Sequence, residues 1–267
     1  MLQARQGIAG ALNVFLASNP NSRRANKKMP SVLSQIADLD SQFAVWLNHF
    51  LARWSLFDLL VKWVLDAHII KFLPLVLVIC WFWFVRNAKQ PANRTIVLEA
   101  VLAGFAALFI ARMLAVALPF RDRPVANPDL HLLVPFDAGL RSWSSFPSDH
   151  AVMAFALAAS LFRLSPAIGV LACLHATVFI CFPRLYFGLH YASDVIAGAL
   201  IGTVLAFGTA RLRGREAITG LLLDFERMYP APFYVIGFFA LFEIAEMFDS
   251  VRVLVANVFR VLGQLMA

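Results

Sequence analysis

The sequence predicts an all-α protein, a polytopic membrane helical bundle with five to six transmembrane helices and an N-terminal amphipathic region. Of its 267 residues, 61% are hydrophobic and only 15% are charged. The mean hydropathy of +0.74 is far above that of an average soluble domain. Several apolar runs approach the ~20 residues that a helix needs to span a bilayer. Composition and run length therefore both predict a membrane protein.

The charge of the chain indicates which surfaces it contacts. The net charge is +7, and the basic residues lie in tails and loops between the apolar runs, which favours anionic lipid headgroups over nucleic acid as partners. Cys80, Cys173 and Cys181 all fall inside apolar runs, where cysteine behaves as a small hydrophobic residue. We therefore expect no disulfide, no metal cluster and no cofactor.

The N-terminal region divides into a tail and an amphipathic segment. Residues 1–40 are predicted to be a basic tail, because the apolar patch from Ile8 to Ala17 is too short to span a bilayer and the stretch from Asn19 to Lys28 is polar and basic. Residues 41–67 are apolar but interrupted by charged side chains. This pattern favours one or two amphipathic helices at the membrane interface, with a tilted span as the alternative.

Residues 41–250 are predicted to form one membrane domain, followed by a C-terminal segment at 251–267. Apolar runs predict spans at 69–85, 95–118 and 193–210, an antiparallel helix pair at 151–164 and 166–182, and a last span or interfacial helix at 232–247. A long polar loop occupies 121–146.

Three polar motifs stand at the ends of these runs: Arg123-Pro124, Pro147-Ser148-Asp149-His150, and Arg184 followed by His190 and Asp194. Alternation of the spans places all three on one face. The other face receives most loop arginines and lysines, so the positive-inside rule predicts that the motif face looks outward. The basic tail argues for the opposite orientation unless residues 41–67 cross the membrane.

The residue types in these motifs suit phosphate chemistry. Arginines hold phosphate oxygens in pairs. A histidine oriented by a carboxylate can attack phosphorus, and a second histidine can protonate the leaving oxygen. His190 and Asp194 have the i,i+4 spacing that places both on one helix face, although a helix-capping pair is the alternative. Ser148 is expected to cap a helix N-terminus, which itself attracts anions.

Together the motifs resemble those of the type-2 phosphatidic acid phosphatases and vanadium-dependent haloperoxidases, whose pattern is Lys-x6-Arg-Pro, Pro-Ser-Gly-His and Ser-Arg-x5-His-x3-Asp. The resemblance covers residues 95–210. It implies a six-helix bundle, metal-free hydrolysis of a phosphate ester or anhydride, and a phosphohistidine intermediate. By matched position it makes His190 the nucleophile, Asp194 its orienting carboxylate and His150 the general acid. It assigns phosphate binding to Arg123, Arg184, Ser148 and the motif position held by Asp149.

Three positions depart from this pattern. The lysine expected seven places before Arg123 is Val116, which cannot bind phosphate. The glycine is Asp149, whose carboxylate must turn away from the phosphate. The serine before Arg184 is Pro183, which removes a phosphate-binding hydroxyl.

Two arginines are candidates to replace the missing lysine. Arg121 lies on the polar side of Pro119, two positions from Arg123, and we expect it to bind phosphate. Arg112 lies within a span, where we expect it to pair with Glu99 or a backbone carbonyl. It reaches the site only if the chain folds back at Pro119.

The resemblance predicts a membrane lipid phosphatase. The Pro-Ser-Asp-His variant resembles the bacterial undecaprenyl-diphosphate phosphatase branch, which favours conversion of undecaprenyl diphosphate to undecaprenyl phosphate at the periplasmic face of the inner membrane. Phosphatidate, phosphatidylglycerophosphate and lipid A are alternative substrates. A vanadate-dependent haloperoxidase and a non-catalytic transporter of phospholipids are more distant alternatives. The sequence predicts no oligomeric state.

Two further features lie inside the spans. His175 is interpreted as a neutral histidine bonded to a neighbouring helix, with a functional role as the alternative. Gly198 and Gly202 are interpreted as a small-residue pair that allows close helix packing within the bundle.

Overall fold

The computed structural model describes residues 32–133 and 144–249, together with Leu254, Asn257 and Val258. The chain divides into two compact units, Met1–Leu39 and Asp40–Ala267. The apolar patch and basic stretch of the predicted tail, and most of the C-terminal segment, lie outside the described residues. Within the described residues the secondary structure is helical and contains no strand, so the predicted all-α class is confirmed.

The α-helices follow in chain order. They are α1 (Val32–Asn48), α2 (Ser55–Asp66), α3 (His68–Lys71), α4 (Leu73–Phe84), α5 (Gln90–Ala117), α6 (Asp149–Leu164), α7 (Pro166–His175), α8 (Phe182–Tyr186), α9 (Ala192–Thr209), α10 (Arg215–Met228) and α11 (Pro230–Ala245). A π-helical turn at Ala176–Cys181 joins α7 to α8. Two short 3-10 turns, Pro124–Ala126 and Pro128–Leu130, lie between α5 and α6.

Three stretches of the described chain are long and apolar enough to cross a membrane. They are α5, the continuous segment Pro166–Tyr186, and α9, while α4 and α11 are shorter apolar helices. A polytopic membrane bundle is therefore confirmed, and the number of five to six spans stays a prediction. The amphipathic helices predicted within 41–67 are present as the end of α1 and the whole of α2. The predicted boundary at residue 40 falls inside α1.

The central element is α6, whose middle residues are buried from Ala151 to Leu161 with few exceptions. It packs against α5, α7 and α9. Five of its buried residues are alanines, so the neighbouring helices approach it closely. The helices α6 and α9 run parallel to each other, since Gly198 and Gly202 lie opposite Ser148 and Val152 in the same order. Helix α5 runs antiparallel to both, since Arg112 near its end pairs with Asp149 at the start of α6. The end of α5 and the starts of α6 and α9 therefore lie at the same end of the bundle, which is where the motifs are.

Two glycines set the contact between α9 and α6. A β-carbon at Gly202 would lie 2.1 Å from the carbonyl oxygen of Val152, and one at Gly198 would lie 2.8 Å from that of Ser148. Only glycine permits this approach, which confirms the interpretation of the pair as a packing feature. The same contact lets the Ser148 N–H donate to the carbonyl oxygen of Asp194 at 3.2 Å, which ties the second motif to the third.

Two elements differ from the sequence-based expectation. The run predicted as one span at 69–85 is divided at Phe72 into α3 and α4. Residues 215–228, not predicted as a helix, form α10. This helix is fixed at the end of the bundle remote from the motifs: buried Glu99 pairs with Arg163 and with Arg215 (3.2 Å). Arg94 pairs with Glu226 at 3.3 Å.

Candidate active site

Residues of all three motifs line one cavity of about 350 Å³ at the motif end of the bundle. Its polar wall is formed by four basic residues, three histidines and three aspartates. These are Lys71, Arg112, Arg123 and Arg184, then His68, His150 and His190, then Asp66, Asp149 and Asp249. The cavity therefore offers several cations and imidazoles to an anionic ligand, and its carboxylates compensate part of the positive charge.

His190 lies in the loop between α8 and α9 and is 4% exposed. Its Nδ1 lies 2.8 Å from the carbonyl oxygen of Ser145. Because a carbonyl oxygen can only accept, this contact places the ring proton on Nδ1 and leaves the lone pair on Nε2. Nε2 lies 3.2 Å from Nη1 of Arg123, which also donates to the carbonyl oxygen of Leu189 at 2.8 Å. The nitrogen with the free lone pair thus lies beside Arg123, the side chain that the family resemblance assigns to phosphate binding.

Asp194 contacts His190 less directly than expected. Its Oδ2 is 3.7 Å from Nδ1 of His190, which is too long for a hydrogen bond. Nδ1 donates instead to the carbonyl oxygen of Ser145. The buried carboxylate accepts from the Ser145 hydroxyl (2.5 Å) and from the backbone N–H of Tyr191 (2.8 Å). Asp194 therefore caps α9, and its charge lies close enough to stabilise a positive charge on the His190 ring.

Arg121 does not take the phosphate-binding place expected of it. It is absent from the cavity wall as described, because its guanidinium lies behind Asp194. Nη1 donates to Asp194 at 2.5 Å and Nη2 to Asp40 at 2.7 Å, while the group stacks over the Tyr191 ring at 4.1 Å. Ser193 lies in the same cluster, 2.9 Å from Nη1. No sequence motif indicates this cluster, since Asp40 is remote in the chain from Arg121 and Asp194.

Arg112, by contrast, reaches the cavity. The expected pairing with Glu99 is wrong, because Glu99 binds Arg163 and Arg215. Nη2 of Arg112 lies 2.6 Å from Oδ2 of Asp149.

Asp149 joins Arg112 to His150. Its Oδ1 lies 2.7 Å from Nδ1 of His150 and accepts from the His150 backbone N–H at 2.8 Å. A carboxylate at Nδ1 keeps the proton there, so Nε2 is the nitrogen that can exchange a proton with a ligand. Each of the two histidines therefore has a carboxylate near Nδ1, although the family pattern has glycine at this position.

Two buried side-chain atoms at the motifs have no hydrogen-bond partner among the described residues: Nε of Arg123 and Oγ of Ser148. Ser148 is the N-cap residue of α6, as predicted, but its hydroxyl makes no capping hydrogen bond. Buried polar atoms without partners are rare, because each loses its bonds to water. Both atoms belong to residues that the family resemblance assigns to phosphate binding.

Arg184 follows the π-helical turn. Pro183 has no backbone N–H, so a regular helical ladder cannot continue through it, and π-turns are frequent at functional sites. The buried Arg184 donates from Nη1 to the carbonyl oxygen of Ile180 at 2.7 Å and lines the cavity.

Sequence reasoning missed Lys71. It ends α3, is 4% exposed and lines the cavity. The available signal was a lone lysine within a predicted span, since an ionisable residue inside an apolar run is a functional candidate.

The interpretation of His175 as bonded to a neighbouring helix is confirmed, because its Nε2 lies 2.8 Å from the carbonyl oxygen of Lys71.

The protonation of His190 suits attack on phosphorus. Burial lowers the pKa of His190 below its ordinary value and outweighs the nearby Asp194 carboxylate, which raises it. The ring is therefore neutral at neutral pH, as a nucleophile must be. Within the described ranges, no three His, Cys, Asp or Glu side chains are grouped so as to hold a metal ion.

Comparisons with known proteins identify the family to which the chain is similar. The model of the PAP2 superfamily matches residues 97–217. The bacitracin transport permease protein BcrC of Bacillus licheniformis is 31% identical over 147 residues, which are 55% of this chain and 67% of that protein. The undecaprenyl-diphosphatase BcrC of Bacillus subtilis (strain 168) is 26% identical over 153 residues, 57% of this chain and 73% of that protein.

A similar solved structure is a transmembrane PAP2 type phosphatidylglycerolphosphate phosphatase from Bacillus subtilis. It is 20% identical, with a TM-score of 0.47, over 67% of this chain and 90% of that one.

The helical membrane fold, the family model and the curated relatives define an integral membrane phosphatase. The chain belongs to the PAP2 superfamily. Within that superfamily it resembles the undecaprenyl-diphosphatases.

Proposed function

We propose that the chain removes the terminal phosphate of a polyprenyl diphosphate, with undecaprenyl diphosphate as the substrate and undecaprenyl phosphate as the product. The observation that carries the proposal is the meeting of His150, His190, Arg123 and Arg184 at one cavity at the end of a membrane bundle. The isoprenoid is suggested by the undecaprenyl-diphosphatase BcrC, to which the chain is similar. A lipid substrate keeps its tail among the helices while its headgroup enters the cavity.

In the first step Nε2 of His190 attacks the terminal phosphorus. Burial, and then the positive charge of Arg184, lower the pKa of His150 in the free site, so Nε2 of His150 takes up its proton together with the anionic substrate. The bond from phosphorus to the bridging oxygen breaks, and its electron pair leaves with that oxygen, which takes this proton from His150. As the new N–P bond forms, positive charge develops on the His190 ring and is stabilised by Asp194 at 3.7 Å. Arg123 and Arg184 neutralise the phosphoryl oxygens.

In the second step a water molecule attacks the phosphohistidine. His150, now neutral, takes the proton from this water, and the N–P bond breaks to release inorganic phosphate and regenerate His190. Both steps use protein cations to neutralise the phosphoryl group, and neither needs a metal ion.

The location proposed for this reaction is the periplasmic face of a bacterial inner membrane. The opposite end of the bundle contains Arg86, Lys89, Arg211 and Arg213 in its loops, and Arg94 and Arg163 in the adjoining helix ends. Ends that are rich in arginine and lysine usually stay in the cytoplasm.

Transport of a phosphate-containing lipid is a second candidate, because the Bacillus licheniformis relative is named a transport permease. A transporter needs phosphate-binding groups but no nucleophile. Catalytic turnover therefore separates the two functions.

The test is a phosphate-release assay of the purified protein with EDTA present. The substrates are undecaprenyl diphosphate, farnesyl diphosphate, phosphatidate, phosphatidylglycerophosphate and lipid A. We expect kcat/KM for the two polyprenyl diphosphates to exceed that for the other lipids by about tenfold or more. His190→Ala should lower kcat by roughly three powers of ten or more, whereas His49→Ala, at an exposed position, should leave it unchanged.

Three results would contradict the proposal. Absence of turnover with every lipid would support the transporter. Preference for phosphatidate or lipid A would show that the substrate is not a polyprenyl diphosphate. If EDTA removes the activity and a divalent metal restores it, the metal-free mechanism is wrong. Bromide oxidation by the vanadate-loaded protein tests the haloperoxidase alternative in the same preparation.

A further inference from the structure

The cavity receives a cation from an element outside the family match. The PAP2 model covers residues 97–217, whereas Lys71 belongs to α3. Lys71 lines the same cavity as Arg123, Arg184 and the two histidines. It also interacts electrostatically with Arg184 and with His150, which places its charge beside the groups proposed to act on phosphate.

Lys71 is held at both its main chain and its head group. Its carbonyl oxygen lies 2.8 Å from Nε2 of His175, a residue of the candidate span Pro166–Tyr186. Its Nζ donates to the carbonyl oxygen of Leu65 at 2.9 Å. That bond uses one of three ammonium protons, so two remain for a ligand.

No carboxylate among the described residues lies at ion-pair distance from Lys71. Three aspartates share its cavity, but Asp66 binds Lys62, Asp149 binds Arg112 and Asp249 lies 3.6 Å from His68. A buried ammonium group without a directly bound anion is unfavourable. A negatively charged ligand in the cavity removes this imbalance.

Two other positions are poorer sources of a cation for an anionic ligand. Arg112 in α5 is bound to Asp149 at 2.6 Å, and the position where the family motif has lysine is Val116. Val116 is 78% exposed and is not part of the described cavity wall.

We propose that Lys71 binds the transferring phosphate, and so supplies from α3 the ammonium group that the family motif supplies from the position of Val116. This inference rests on the proposed function for its substrate. It adds a phosphate-binding residue that the family match does not contain.

The proposal has a consequence for pH. Burial, followed by the positive charge of Arg184, lowers the pKa of Lys71 from 10.5 to about 8, although Asp66 and Glu246 act in the opposite direction. His150 also faces the group. A lysine is cationic below its pKa, so the free protein should lose phosphate affinity as the pH rises through about 8.

The experiment measures binding of inorganic phosphate to the purified protein by titration calorimetry, independently of turnover. Lys71→Met should raise the Kd by about 10- to 100-fold, the loss expected for a charge-assisted hydrogen bond. Lys71→Arg keeps the charge and should stay within about threefold of the wild-type value. The matched control is Lys89→Met, because Lys89 is exposed at the start of α5, the end of that helix remote from the cavity.

A second measurement does not depend on whether the Lys71→Met variant folds. Between pH 7 and 9 the wild-type Kd for phosphate should rise, whereas that of Lys71→Arg should change little, because arginine stays charged over this range. Equal affinity and equal pH dependence in the wild type, Lys71→Met and Lys71→Arg would overturn the proposal.

The two proposals fail separately. A protein that binds phosphate through Lys71 but releases none from any lipid keeps this inference and loses the proposed function. A protein that hydrolyses polyprenyl diphosphate, with phosphate binding and kcat/KM unaltered in Lys71→Met, loses this inference and keeps the proposed function.

Discussion

The carboxylate of Asp149 stands at the edge of a cavity proposed to bind phosphate, where a negative charge is unfavourable. Arg112 lies 2.6 Å from it, and the second oxygen of the same carboxylate lies 2.7 Å from Nδ1 of His150. The arginine compensates the charge, and the carboxylate holds the histidine. We infer that the two residues act as one unit. Loss of Arg112 leaves the negative charge of Asp149 uncompensated, and loss of Asp149 removes the carboxylate that binds Arg112 and holds His150.

This unit gives a prediction for a double-mutant cycle. Arg112→Ala should lower kcat/KM by about 10- to 100-fold, because the uncompensated Asp149 then repels the substrate. Adding Asp149→Gly, the family residue, should recover part of that loss, since it removes the repelling charge. The coupling is measured from kcat/KM of the two single variants and the double variant.

Additive losses, with no recovery in the double variant, would show that Arg112 and Asp149 act independently. Thermal unfolding of all three variants serves as the control, because recovery of activity without a change in the unfolding midpoint separates this effect from folding.

At this scale the sequence predicted the motif residues that come together, but not the roles of the two arginines beside them. Arg123, His150, Arg184 and His190 follow from the motif spacing. Whether Arg112 or Arg121 reaches the cavity depends on the path of the chain after α5. That path is set by tertiary contacts such as the hydrogen bond from Val125 N–H to the Gly188 carbonyl oxygen at 2.9 Å.

The contact between helices α6 and α9 leaves no space for a larger side chain at Gly202. A β-carbon at Gly202 would lie 2.1 Å from a backbone oxygen and 2.8 Å from a backbone nitrogen of α6. Backbone atoms cannot rotate away, so the helices must separate. The starts of the same two helices contain His150 and Asp194, which links this packing to the site.

Gly202→Ala should therefore lower both stability and turnover. Overpacking of this kind costs about 1–3 kcal/mol, and a displaced His150 should reduce kcat about tenfold. Gly208→Ala is the matched control on the same helix, because no atom lies within 4 Å of its β-carbon position. Thermal unfolding in detergent and phosphate release give the two readouts.

A Gly202→Ala variant as stable and active as Gly208→Ala would mean that the two helices are not in this contact in the membrane. Equal losses in both variants would point instead to a general sensitivity of α9.

The elements themselves could be predicted where hydrophobicity decides them. The apolar runs predicted α6 and α9 to within two residues and α5 to within five, and the run at 166–182 covers α7 together with the π-helical turn that follows it. The helix α10 was missed because its charged residues leave no long apolar run. It is held by ion pairs to residues distant in sequence, such as Arg215 with Glu99 at 3.2 Å.

For the whole molecule, the distribution of basic loops predicts its orientation. The end of the bundle opposite the cavity contains the start of α5 and the end of α9, both flanked by arginine or lysine. The positive-inside rule places this end in the cytoplasm. The cavity then opens at the outer surface, where the headgroup of an outer-leaflet lipid lies.

Labelling of single cysteines tests this orientation. In a background without Cys80, Cys173 and Cys181, Asp129→Cys lies at an exposed position at the motif end and Lys89→Cys at an exposed position near the other end. A membrane-impermeant thiol reagent added to right-side-out vesicles should label the first variant. It should label the second only after permeabilisation. The reverse pattern would place the cavity in the cytoplasm.

The cluster behind the nucleophile has a practical consequence for protein engineering. Asp40 binds Arg121 and Ser193, which adjoin Asp194, and it lies far outside the segment 97–217 that defines the family. A chimera that transfers only this segment into another scaffold leaves behind Asp40. It would contain the family motifs without the residue that supports Asp194, the carboxylate proposed to orient His190. Grafts should therefore begin before α1.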